Sequence, residues 1–196
     1  RSEALSRQLF FVGLLSVLLL VLVGCATQTP TTSELTVGGE FVRQGRFALR
    51  AEAPNQAPEA VQGGFAWRDG NGRLSLDLSN PFGNILARVI VEPTQATLTQ
   101  PNGEVLRATD PDGLVQKAIG QRVPVRDLRQ WLRVPLRALP AMQQIKRDDQ
   151  GRIVAFEQNG WTVELTRFDS QGPRLLVLSR GESSQQIVIR LIVDTP

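Results

Sequence analysis

From Phe41 onward the hydrophobic positions alternate. In Gly45-Arg46-Phe47-Ala48-Leu49-Arg50, Phe47 and Leu49 fall on one face and Arg46, Ala48 and Arg50 on the other. That is the two-residue period of a strand with one face buried. Phe65 and Trp67 repeat it within Val61–Arg68, and Leu74, Leu76 and Leu78 repeat it against Ser75, Asp77 and Ser79. Asp69-Gly70-Asn71-Gly72 between those runs is a hairpin turn, because Asn and Gly accept positive φ. Asn80-Pro81-Phe82-Gly83 breaks the next strand, which resumes over Asn84–Glu92. Pro93 and Pro101-Asn102-Gly103 delimit two more short strands, Gln95–Gln100 and Glu104–Ala108.

The period changes in mid-chain. Thr109-Asp110-Pro111-Asp112 supplies a capping oxygen, a proline for the first turn and acidic residues at the positive end of a helix dipole. Leu114, Val115, Ala118 and Ile119 then form a helical stripe that Gly120 stops. Val123-Pro124 opens a second helix, with Val125, Leu128, Trp131 and Leu132 on one side and Pro135 closing it. Strands return over Met142–Arg147, Arg152–Glu157, Trp161–Phe168, Arg174–Ser179 and Gln186–Val193, with turns at Asp148–Gly151 and Asn159-Gly160. The pattern predicts a mainly β (α+β) fold: about eleven short antiparallel strands in one strongly curved sheet or barrel. Two amphipathic helices must bury their stripes, and the concave face of that sheet is the available place.

The first residues follow another rule. Arg1 and Arg7 precede an uncharged apolar run, Leu9–Val23, and Gly24 and Cys25 follow it. The run is shorter than the roughly 20 residues of a spanning helix and has the layout of a secretory signal. Leu22-Val23-Gly24-Cys25 resembles the lipobox of bacterial lipoprotein precursors. On this reading residues 1–24 are a signal peptide, Cys25 is lipidated, and the Thr-rich residues 25–36 are a flexible tether. Two acyl chains give stable anchoring at about 0.8 kcal/mol per buried methylene. Ala26 stands where Asp would retain a lipoprotein in the inner membrane of enteric bacteria, so the outer membrane, facing the periplasm, is expected. Residues 37–196 are one domain with enough chain for a core.

Composition narrows the chemistry. The chain has no His or Tyr and a single Cys, and its net charge is +3. The usual neutral-pH base is missing, no Cys/His metal site can be assembled, and scattered charge is no nucleic-acid footprint. Asp148 and Asp149 read as a solvated turn rather than an acid pair. Neither catalysis nor a cofactor is expected, and nothing points to an oligomer.

Several pieces together resemble the LolB family of outer-membrane lipoprotein receptors: Gly45-Arg46-Phe47, Phe65-Ala66-Trp67, the Asn80–Gly83 loop, VPVRDLRQWL from Val123, and Gly160-Trp161. The resemblance covers nearly all of the chain after the tether. The chain departs from the family pattern at Val134, where Gly is usual, at Phe168, where Tyr is usual, and in a terminal strand without Trp. The resemblance implies an open half-barrel with a short helical lid, enclosing a hydrophobic cavity for acyl chains. The cavity candidates are Phe47, Leu49, Phe65, Trp67, Leu76, Leu78 and Trp161 from strands and Leu114, Ile119, Leu128, Trp131 and Leu132 from helices. It also implies that Phe82, flanked by Pro81 and Gly83, takes the place of an exposed apolar residue, usually Leu, that passes the anchor to the membrane. The implied partners are a LolA-type periplasmic carrier, acylated lipoprotein cargo and the outer membrane. The alternative is an envelope assembly lipoprotein that holds a protein partner without any acyl cavity.

Overall fold

In the computed structural model, residues 39–182 and 185–195 are described. The expected signal peptide, Cys25 and the expected tether lie outside them. The strands are β1 (Phe41–Glu52), β2 (Glu59–Gly70), β3 (Arg73–Ser79), β4 (Ile85–Val91), β5 (Ala96–Thr99) and β6 (Val105–Ala108), then β7 (Gln143–Arg147), β8 (Ile153–Gln158), β9 (Trp161–Phe168), β10 (Pro173–Glu182) and β11 (Gln185–Val193). Two helices, α1 (Pro111–Ile119) and α2 (Val125–Trp131), stand between β6 and β7.

All eleven strands form one antiparallel sheet in the order β6-β5-β4-β3-β2-β1-β11-β10-β9-β8-β7. Each neighbouring pair is a sequence hairpin except β1 with β11, which joins the first strand to the last with Phe47 opposite Leu191 and Leu49 opposite Ile189. The sheet is unclosed, with β6 and β7 at its two edges. This order fixes where the helices go. The chain leaves one edge at Ala108 and must reach the other at Gln143. The segment between them crosses the open face and buries its apolar stripe on the way.

Alternation sets the inner face. Phe47, Leu49, Phe65, Trp67, Leu74, Leu76 and Leu78 are buried, as are Val163, Leu165, Leu176, Leu178, Ile189 and Leu191 on the later strands. The inner row turns polar at one end. Arg43 and Asp69 share the parity of their apolar neighbours and are only 4% and 5% exposed. Register places Arg43 opposite Trp67 and Phe41 opposite Asp69.

Local chemistry matches the helix ends. Asp110 caps α1, its side chain accepting from the Asp112 N–H, and Gly120 closes the helix in the left-handed conformation. Asn71 and Gly72 both carry positive φ, as the β2–β3 turn requires. Among the described residues no helix is long and apolar enough to cross a membrane.

Candidate functional site

The site is the space between sheet and helices. Phe47, Leu49, Phe65, Trp67, Leu76 and Leu78 floor it from β1, β2 and β3, with Ile189 and Leu191 from β11. Val115 and Ile119 of α1, Val123 of the linker, and Leu128 and Leu132 roof it. Every lining side chain is apolar. The void is small, about 40 Å³. A cavity of about 150 Å³ holds one benzene, and pockets for drug-sized ligands run from roughly 300 to 1,000 Å³. As described, the space between sheet and helices is too small for such a ligand.

Leu114, Trp131 and Trp161, also expected in the lining, are buried but are not among the residues that line this void. Trp131 turns away toward the later strands. Its ring meets Phe156 edge-on, centroids 5.5 Å apart at 69°, and its Nε1 donates to Gln158 Oε1 at 3.1 Å. Trp161 begins β9 with the Arg180 guanidinium over its ring. Leu114 is 1% exposed and packs in the core beside the void. Conversely, Val115, Val123, Ile189 and Leu191 were not among the expected lining. The alternation of Ile187, Ile189 and Leu191 in the last strand carried that signal.

The roof is tied down unevenly. Arg129 of α2 grips Asp69 through two hydrogen bonds, Nε to Oδ2 at 2.9 Å and an amino nitrogen to Oδ1 at 2.6 Å. Arg133 donates to Asp69 Oδ2 at 2.9 Å while its guanidinium lies 4.0 Å over the Phe41 ring. On the other side Asn159 donates to Asp127 at 3.0 Å. The β9–β10 turn docks on the end of α2, with Val134 N–H donating to Gln171 O at 2.9 Å. Gly172 permits that approach, since a Cβ there would lie 2.1 Å from Leu132 O. The corner after α1 has a lighter tie to the first hairpin, an exposed hydrogen bond from Gln121 to Glu59 at 2.9 Å. Opening on the α1 side leaves the Asp69 clamp intact and breaks the Gln121–Glu59 bond together with the bonds from Arg126 to Asp112 and Thr109.

The second feature is the β3–β4 loop. Asn80 Oδ1 accepts from the Phe82 and Asn84 N–H groups at 2.9 and 3.0 Å. Gly83 completes the turn at φ 88° and donates to Asn80 O at 2.9 Å. This local bonding holds Phe82 outward, 90% exposed, with Ile85 45% exposed beside it. Among the described residues this aromatic packs against almost nothing.

A family profile described as "Outer membrane lipoprotein LolB" matches residues 39–195. The chain belongs to the LolB family. It is 47% identical over 176 residues to an outer-membrane lipoprotein LolB of Bordetella petrii, covering 90% of this chain and 88% of that one. It is 33% identical over 183 residues to that of Cupriavidus necator, covering 89% and 90%. A crystal structure of a LolA superfamily protein from Nitrosomonas europaea aligns over 79% of this chain and 87% of that one, with 14% identity and a TM-score of 0.42.

Within this LolB-family domain Asp148 and Asp69 serve architecture. Among the described residues no cluster of His, Cys, Asp or Glu could hold a metal. Asp148 accepts from the Gln150 and Arg152 N–H groups and from the Arg152 side chain, which occupies its carboxylate within its own turn. Burial works to raise the Asp69 pKa, but the hydrogen bonds and charges of Arg129 and Arg133 outweigh it and hold the carboxyl below its ordinary value. A carboxyl depressed in the folded state stabilises the fold above its unfolded pKa, and that contribution disappears as pH falls through the folded value. Thermal denaturation between pH 7 and pH 2.5 should therefore show Asp69→Asn less stable than wild type at pH 7. The gap should narrow below about pH 4. A constant gap across that range would mean that the ion pairs do not carry the effect.

Proposed function

We propose that this protein is a receptor in the outer membrane, anchored by lipid on Cys25 with residues 25–36 as tether and facing the periplasm. It accepts acylated lipoproteins from a LolA-type carrier and inserts them into the inner leaflet of the outer membrane. The wholly apolar space between half-barrel and helices is the observation that carries the proposal. An acyl chain cannot cross water exposed, and a wall of aliphatic and aromatic side chains replaces the bilayer's contact at about 25 cal/mol per Å² of apolar surface. Transfer of this kind is exchange between apolar sites and needs neither nucleophile nor cofactor.

In this mechanism entry displaces α1, whose Val115 and Ile119 occupy the space that the chain will fill, while α2 stays clamped by Asp69. Phe82 then places the loaded domain at the membrane surface. The direct test is transfer from a carrier loaded with acylated lipoprotein. Cargo should move to the receptor, and no movement would overturn the proposal. The assembly-lipoprotein alternative is separated by filling the void. Val115→Phe adds a ring where about 40 Å³ is free. Overpacking costs about 1–3 kcal/mol, less than the roughly 5–15 kcal/mol that holds a domain folded. The variant should stay folded at 25 °C by circular dichroism and accept cargo at least about ten-fold more slowly. Unimpaired uptake would place the acyl chains elsewhere.

A further inference from the structure

The outer face of the central strands carries a feature that acyl binding leaves unused. Arg46 and Arg50 of β1 and Arg190 of β11 all project outward, since their parity is opposite to Phe47, Leu49, Ile189 and Leu191. Ala48 pairs with Arg190, and Arg46 and Arg50 lie two residues to either side of Ala48. Diagonal neighbours in such a sheet are about 7–8 Å apart, which puts the three arginines on one patch; Arg50 and Arg190 share a hollow there and Arg46 lines the next. Small side chains floor it: Ala48 and Ala60 line one hollow of about 520 Å³. A second hollow of about 470 Å³ adjoins it through Gln62, with Arg46 on one wall and Asn80, Pro81 and Gly83 of the exposed loop on the other.

The charges there are not balanced internally. Arg50 is paired with Glu52. Asp77, the acid nearest the loop on this face, is held by Arg88 at 2.6 Å. Glu164 lies beyond Val177, one strand farther out than Arg190's neighbour. Neither Arg46 nor Arg190 has an ion-pair partner among the described residues. Both are exposed. A cationic trough of small residues that runs into an exposed apolar loop has the chemistry of a bilayer interface, where phosphates lie next to the acyl region.

We propose that Arg46 and Arg190 bind the phosphates of anionic phospholipid and thereby seat the Phe82 loop in the membrane. This rests on the delivery reading above and adds a lipid requirement to it. Each arginine near an anionic surface contributes about a five-fold preference, so the pair gives roughly 25-fold at low salt, less as ionic strength shortens the Debye length.

The test uses the full lipidated chain in vesicles of phosphatidylcholine alone or with one-third phosphatidylglycerol. Asn84→Cys carrying an environment-sensitive dye reports burial of the loop. Wild type should bury the dye and deliver cargo faster in the anionic vesicles, and Arg46→Gln/Arg190→Gln should abolish that difference while still accepting cargo from the carrier. Equal behaviour of wild type in both lipids would overturn the proposal, as would an unchanged double variant. Loss of cargo acceptance by the double variant on phosphatidylcholine would also overturn it and assign the surface to the protein carrier. Phe82→Glu is measured in parallel. If it delivers normally in both lipids, the delivery reading itself fails, independently of the arginines.

Discussion

Phe82→Glu should leave cargo acceptance at the wild-type rate and reduce delivery to membranes by at least about ten-fold. The side chain is 90% exposed, so removing it forfeits almost no packing, and such surface substitutions change stability by roughly ±0.5 kcal/mol. Burying a Phe side chain away from water is worth about 1.5–3 kcal/mol, which corresponds to roughly 10- to 150-fold in a partition equilibrium. A carboxylate forfeits that gain and adds the cost of bringing a charge to an apolar interface.

The loop geometry makes the substitution clean. The Asn80 side chain and Gly83 hold the turn through bonds to backbone, none of which involves the Phe82 ring. Phe82→Leu should deliver nearly as well as wild type and Phe82→Ala should fall between, so the series orders by apolar area. Acceptance is read by co-purification of cargo with the receptor, and delivery by flotation of cargo with vesicles. If both fall together, Phe82 acts in docking the carrier and not in membrane contact.

Strand content was legible because parity is local. Every run with alternating Leu, Phe or Trp became a strand, and the helix start at Asp110 and its stop at Gly120 followed from capping chemistry. Arg43 and Asp69 share that inward parity, but the turn reading covers Asp69 and the alternation read in the first strand does not include Arg43. A sequence pattern gives a buried charge no partner, however, and Asp169, Arg129 and Arg133 come from far along the chain. The pairing of β1 with β11 was likewise invisible, since register between distant strands is set by closure of the whole half-barrel and not by any turn. Exposure of Phe82 depended on the Asn80 side chain turning back on its own loop. The helical stripe of α2 gave a buried face but not what each residue on it meets. That is why Leu128 and Leu132 reach the void whereas Trp131 does not. Family membership supports the receptor reading. The size of the void did not follow from it, because volume depends on how the side chains interdigitate.

Trp131→Ala should be among the most destabilising single changes in the domain. The side chain is fully buried, and Phe or Trp truncation in a core costs about 3–5 kcal/mol. The partner Gln158, 6% exposed, would keep a buried amide oxygen without its donor, adding about 1–3 kcal/mol. For a domain of this size each kcal/mol lowers the melting midpoint by about 2–4 °C, so a fall of roughly 10 °C or more is expected. Trp131→Phe retains the ring contact with Phe156 and should recover most of the packing, leaving the lost hydrogen bond as the residue of the effect. The two variants also decide what the tryptophan is for. Because Trp131 anchors α2 and stands outside the void, Trp131→Phe should accept cargo at the wild-type rate once folded. If it melts normally but takes up cargo slowly, the ring belongs to the acyl path in the open form, and α2 must rotate as the roof lifts.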